Sequence, residues 1–140
     1  MRLLVVEDEP DIPEVLQFNL ERAGFSVAVE RRGDSALEAA ARLARSGFGN
    51  VEVVTGDGAR GWGKATYDAI VLTGSTPVLH DAFLGQLNPG GRVFAIVGDA
   101  PAMTARMHRW TAPGSRTVVS LFETVVKPLA NAPAPVRFEF

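Results

Sequence analysis

Five short apolar runs, at residues 3–6, 25–29, 51–55, 67–72 and 92–97, alternate for the most part with stretches of helical period, and this alternation constrains the chain more than any motif. The first run, Leu3 to Val6, has no polar residue and ends abruptly in acids. Such an unbroken run suits a strand buried on both faces of a parallel sheet. Ile12, Val15, Leu16, Leu20 and Ala23 then recur at helical spacing, with Pro10 and Pro13 near the start and Gly24 placed to stop the helix. The run at 25–29 reads as a second strand, 35–46 as an alanine-rich helix ended by Gly47, and 51–55 and 67–72 as strands three and four. A helix over 78–87, the turn Asn88-Pro89-Gly90-Gly91 and a fifth strand over 92–97 complete the alternation. The alternation of strands and helices predicts an α/β fold with a parallel sheet.

Beyond residue 102 the period becomes two. Met103, Ala105 and Met107 alternate with Thr104, Arg106 and His108, residues 112–115 turn the chain, and 117–122 runs as a further strand, so an antiparallel hairpin is expected. Pro128, Pro133 and Pro135 mark a surface connection leading to a last edge segment over 136–140.

A chain of 140 residues, 46% hydrophobic and 21% charged, is sized for one domain over 1–140 and can bury a core. The absence of cysteine excludes disulfides, iron–sulfur ligation and thiol catalysis. Glu7, Asp8, Glu9, Asp11 and Glu14 crowd the first fourteen residues against Arg2 alone, on a net charge of −2, which argues against nucleic acid. No apolar run is long enough to span a membrane, and Met1 leads directly into a strand, so a cytoplasmic monomer is expected. No Gly-x-Ser-x-Gly, Walker loop or His-Glu-x-x-His pattern occurs. His80 and His108 lack a partner at ligand spacing, and Trp62 and Trp110 read as packing residues.

Two resemblances overlie this pattern. The segment LLVVEDEPDIPEVLQFNLERAGFSV, with RRGDSALEA after it, resembles the receiver domain of response regulators, which has a flavodoxin-like fold. From about residue 41 the chain resembles the C-terminal part of protein-L-isoaspartate O-methyltransferases, through NVEVVTGDGARGW, YDAIVLTGSTP, LGQLNPGGRVFAIVG and LFETVVKPLANAPAPVRFEF. Taken together they imply a chimera joined near residue 40, with a three-layer, doubly wound Rossmann-like sheet. The methyltransferase part implies the strand order 3-2-1-4-5-7-6.

The resemblances also assign the site residues. In the methyltransferases Glu30 matches the acid that holds the ribose hydroxyls of S-adenosylmethionine, and Asp57 and Gly58 match the adenine edge. The glycine-rich loop expected after strand one is replaced by Glu7-Asp8-Glu9-Pro10-Asp11, and the family's N-terminal substrate segment is missing as well, so these positions are read as vestigial. In receivers Glu7 and Asp8 would hold Mg2+ beside a phosphoacceptor aspartate, but Thr73 stands at the acceptor position and is a poor nucleophile without a base. Lys127-Pro128 belongs to the methyltransferase tail rather than to a receiver. The resulting expectation is an engineered, catalytically inactive scaffold with no cofactor. Its alternatives are a residual S-adenosylmethionine-dependent carboxyl methyltransferase and a receiver-like binding module without its phosphoacceptor.

Overall fold

The computed structural model describes residues 1–7, 26–31, 41, 45, 52–112 and 114–135. They contain β1 (Arg2–Val6), β2 (Ser26–Arg31), β3 (Glu52–Thr55), β4 (Tyr67–Thr76), the short helix α1 (Asp81–Gly85), β5 (Leu87–Asp99), β6 (Ala102–Ala112) and β7 (Ser115–Glu123). The helix read over 12–23 and the edge segment over 136–140 lie outside the described residues. Of the helix read over 35–46 only Ala41 and Arg45 are described, both helical and exposed.

The seven strands form one sheet in the order β3-β2-β1-β4-β5-β6-β7. The first five pair in parallel and the last two join by antiparallel hairpins. β1 is flanked by β2 and β4, with Val6 level with Glu30 on one side and Leu72 on the other. β3 pairs with β2, the place its polar end suits.

The last two strands are exchanged relative to the order expected from sequence. Only Ala100 and Pro101 separate β5 from β6, and Asp99 pairs at once with Ala102. A two-residue link closes a hairpin but cannot carry the chain past an intervening strand, so β6 lies beside β5 and β7 takes the edge.

The helix over 78–87 is also shorter than its sequence pattern. His80 caps it, its Nδ1 accepting from Ala82 N–H at 3.2 Å, and Leu87 is drawn into β5 opposite Tyr67. Asn88 to Gly91 is therefore an insertion within β5, where the pairing jumps from Tyr67–Leu87 to Ala69–Arg92. Asn88 Nδ2 donates to Asp68 Oδ1 at 2.9 Å and Arg2 N–H donates to Asp68 Oδ2 at 2.6 Å. These donors, Asn88 foremost, hold the Asp68 carboxyl below the usual carboxylate range and tie the starts of β1 and β4 to the insertion.

One core cluster joins Leu4, Val6, Ile70, Leu72, Val93 and Ala95 of the sheet to Phe83 of α1 and Leu129 of the tail. A smaller one joins Ile96, Met103 and Ala105, with Phe94 and Val126 against it. Complete burial of each Leu, Ile or Phe stabilises the fold by about 1.5–3 kcal/mol, and that burial outweighs the weak helical propensity of a five-residue α1.

His108 is the polar exception. It lies buried on β6, and neither ring nitrogen finds a hydrogen-bond partner among the described residues. Burial first, then the charges of Arg116 and Arg106, hold its pKa below the ordinary 6.5. The unfolded chain therefore binds the proton more readily, and stability is complete above about pH 6.5 and falls as pH drops below it toward the folded-state pKa. Thermal melts across this range are expected to show that loss, and His108→Leu is expected to flatten it while preserving the fold.

Candidate functional site

The chain runs outward from β1 through β2 to β3, then returns to place β4 on the other side of β1. Between β1 and β4 the order reverses, and in open α/β sheets ligands enter the crevice beyond the strand ends at such a point. Three acids named from the sequence lie along this rim. Glu7 follows β1 directly and is 3% exposed, Glu30 is the penultimate residue of β2, and Asp57 is the second residue of the loop after β3. Glu30 is level with Val6 of β1 and Val54 of β3. Asp8 lies outside the described residues, and among those described no group of three or more His, Asp or Glu could hold a metal ion.

Asp57 is bound to its surroundings through both oxygens. Oδ1 accepts from Ala59 N–H at 3.1 Å, folding residues 57–61 into a turn, and Oδ2 accepts from Asn131 Nδ2 at 3.0 Å across 74 residues of sequence. Gly58 is buried, and its carbonyl accepts from Gly61 N–H at 3.1 Å. Trp62 packs over Gly56 so closely that a Cβ there would lie 2.2 Å from the indole. Gln86 at the end of α1 fixes this loop from below, accepting from Trp62 N–H at 2.9 Å and donating to the carbonyls of Trp62 and Gly63.

On the other side of the crevice β4 overhangs β1 by four residues. Three residues, Leu72 to Gly74, face one residue of β5 between the Val71–Phe94 and Ser75–Ile96 pairs, a bulge beyond which Ser75 and Thr76 pair with Ile96 and Val97. The Thr73 hydroxyl donates to the Val6 carbonyl at 3.0 Å, a structural bond at the place where a receiver would carry its acceptor. Ser75 N–H donates to Lys127 C=O at 3.0 Å, Leu129 N–H to Ser75 C=O at 2.8 Å, and Ser75 Oγ to Val126 C=O at 3.1 Å. The tail is thus strapped to β4, with Leu129 against Gly74 and Asn131 brought to Asp57. Asn131, Gln86 and Ser75 were not read as site residues, because their partners are 20 or more residues away and follow no local pattern.

Residues 14–130 match the family model of protein-L-isoaspartate(D-aspartate) O-methyltransferase. The chain belongs to this family. It is 46% identical over 79 residues to the protein-L-isoaspartate O-methyltransferase of Methanoculleus marisnigri, covering 56% of this chain and 36% of the relative. It is 35% identical over 112 residues to that of a Synechococcus species, covering 79% of this chain and 43% of the relative. The chain therefore spans about two fifths of the length of these relatives. In fold it is similar to a solved protein-L-isoaspartate O-methyltransferase, with a TM-score of 0.76 at 22% identity over 94% of this chain and 42% of that one. It is also similar to a Plasmodium falciparum member solved with S-adenosyl-L-homocysteine, with a TM-score of 0.68 at 13% identity over 92% and 65% of the two chains.

These findings overturn the chimera. The family match begins at residue 14 and crosses the expected join near residue 40 without a break, so the segment read as receiver-like helix belongs to the methyltransferase. The topology agrees, because a receiver sheet places strand one between strands two and three, whereas β1 here lies between β2 and β4. The inactive engineered scaffold inferred from that chimera falls with it. The acidic LLVVEDEP stretch misled because a buried parallel strand ending in acids is a local pattern that both folds accommodate.

The strap makes Gly74 a sensitive position. A Cβ there would lie 2.7 Å from Leu129 Cδ2 and 3.1 Å from the Leu129 backbone nitrogen. Gly74→Ala is expected to cost about 1–3 kcal/mol in chemical denaturation and to open residues 124–135 to limited proteolysis.

Proposed function

We propose that this chain is the cofactor-binding part of an S-adenosylmethionine-dependent protein-L-isoaspartate carboxyl methyltransferase. The observation that carries the reading is the family match over residues 14–130, laid on a sheet whose reversal point gathers Glu7, Glu30 and Asp57 at one rim. S-adenosylmethionine, when bound, supplies an electrophilic methyl group on sulfur.

The nucleoside end of that cofactor fits the residues present. A carboxylate at the end of β2, the position of Glu30, is the residue type that accepts both hydroxyls of a ribose. Each Asp57 oxygen accepts one protein hydrogen bond, from Ala59 or Asn131, and keeps acceptor capacity for the amino group of an adenine. Gly58 lets the backbone approach the ring plane without a side chain between them.

The methionine end does not fit. Glu7 places a buried carboxyl group directly after β1, on the side from which the cofactor's own carboxylate would approach, and a second carboxyl group is disfavoured in so poorly solvated a place. No methyl-transfer step is therefore derived from these residues.

Calorimetric titration of the full chain tests both halves. Methylthioadenosine, which lacks the amino-acid end, is expected to bind more tightly than S-adenosylhomocysteine. Asp57→Ala is expected to weaken both by about tenfold, the loss of a hydrogen bond to a charged group. Glu7→Gln is expected to strengthen S-adenosylhomocysteine selectively. Absence of saturable binding by either ligand up to millimolar concentration would remove the proposal.

A further inference from the structure

β7 closes the sheet, and its outer edge takes no partner strand among the described residues. All nine of its residues are exposed, including Val118 (48%), Val119 (55%), Leu121 (47%) and Phe122 (55%). Exposed edge strands are ordinarily protected by Lys, Pro, bulges or inward charges, since their unpaired N–H and C=O groups template another strand. β7 has no Lys or Pro; its charges stand near its two ends, Arg116 and Glu123, and its one bulge residue, Leu121, leaves the run from Arg116 to Ser120 in register with β6.

The order of residues along this edge is self-complementary. Cross-strand partners share a face, so the β6 pairing sorts β7 into two sets. Arg116, Val118, Ser120 and Glu123 lie with Trp110, His108, Arg106 and Thr104, whereas Thr117, Val119 and Phe122 lie with Arg109, Met107 and Ala105. Leu121 is the extra residue where the register shifts between Ala105 and Arg106. A twofold axis perpendicular to the sheet pairs two identical edges antiparallel and keeps each face with itself. Through Val119, that axis sets Val119 against its own copy, Val118 against Ser120, Thr117 against Phe122 and Arg116 against Glu123, with each Leu121 remaining the bulge residue. Both charged residues thereby meet the opposite charge, twice. Moving the axis to Val118 sets Arg116 against Ser120 and leaves Glu123 without that partner.

We infer that β7 is a dimerisation edge, on which a second copy of this chain docks antiparallel about Val119 to continue the sheet. The apolar face supports the same occupant, since Phe122 lies opposite Ala105, a member of the Ile96–Met103–Ala105 cluster, and the docked strand extends that cluster. Among the described residues Arg116 forms an ion pair with Asp81 at 3.8 Å, with their side chains 57% and 92% exposed, and an ion pair so exposed contributes little against the new one. The proposed dimer differs from the monomer expected from the sequence and is independent of what the carboxyl rim binds.

Sedimentation of the full chain across a range of micromolar concentrations tests it, with circular dichroism confirming that each variant is folded. A concentration-dependent dimer is expected for the parent. Arg116→Glu is expected to weaken it about tenfold by setting like charges opposite each other twice, and adding Glu123→Arg is expected to restore it. Val119→Lys sets two ammonium groups against each other on the axis and is expected to abolish it. A parent that stays monomeric, with β7 amides protected from exchange by another segment of the chain, would overturn the inference. So would a dimer indifferent to all three variants, which would use a different surface.

Discussion

The pairing of β1 with β4 is the constraint on which the remaining structure depends. Leu3 to Val6 lie level with Ala69 to Leu72, and all four β1 residues are buried. A strand this apolar is stable only at the centre of a sheet, and having β4 on one side of it forces β2 and β3 to the other. The reversal point, and therefore the crevice beyond the strand ends, follows from that placement. Because β4 is longer than β1, its overhang projects past the crevice and offers backbone groups that need partners. Ser75 takes them from the tail, and this positions Leu129 and Asn131.

The rim that results is built from distant parts of the chain held by a few directional bonds. The loop after β3 is fixed from one side by Gln86 and from the other by Asn131, and the buried Gly58 lets it turn closely. This arrangement keeps a carboxylate at the surface in a defined position without burying it, which avoids the desolvation cost of an enclosed charge. Glu7 is the contrast, a carboxyl group buried at the end of the central strand. The two acids thus differ in burial: Asp57 is held exposed at the rim by directional bonds, and Glu7 is enclosed at a strand end.

The opposite end of the sheet obeys different rules. The two-residue link after β5 commits the chain to a hairpin, which fixes β6 beside it and leaves β7 outermost. An edge strand with apolar residues at its centre and opposite charges near its ends is matched to its own copy by the order of its residues alone. The exposure of those residues in the single chain is that of a sheet edge with no partner strand among the described residues.

Much of the architecture was legible in the sequence, because strand burial is a local signal. The apolar run at 3–6, the alternation through Met103, Ala105 and Met107, and the polar end of the run at 51–55 each report how many faces of a strand meet the core. A chain of alternating strands and helices has few ways to satisfy them. The acids Glu7, Glu30 and Asp57 could be named only through the family resemblances, Glu7 as a receiver metal ligand and the other two as methyltransferase cofactor positions, because no local pattern marks a strand-end acid as a ligand. Local pattern failed where the deciding partner was remote. Asn88 to Gly91 reads as a turn but is an insertion within β5, because Tyr67 pairs with Leu87 from the neighbouring strand. Thr73 reads as a failed acceptor but is a bond to the Val6 carbonyl, and Asp57 acquires its second partner from residue 131. The sequence by itself determined which segments are strands and which of them are buried, since apolar periodicity encodes that residue by residue. Only the tertiary structure decided which polar atoms meet, because hydrogen bonds at the rim join residues whose proximity exists only after the sheet has closed around β1.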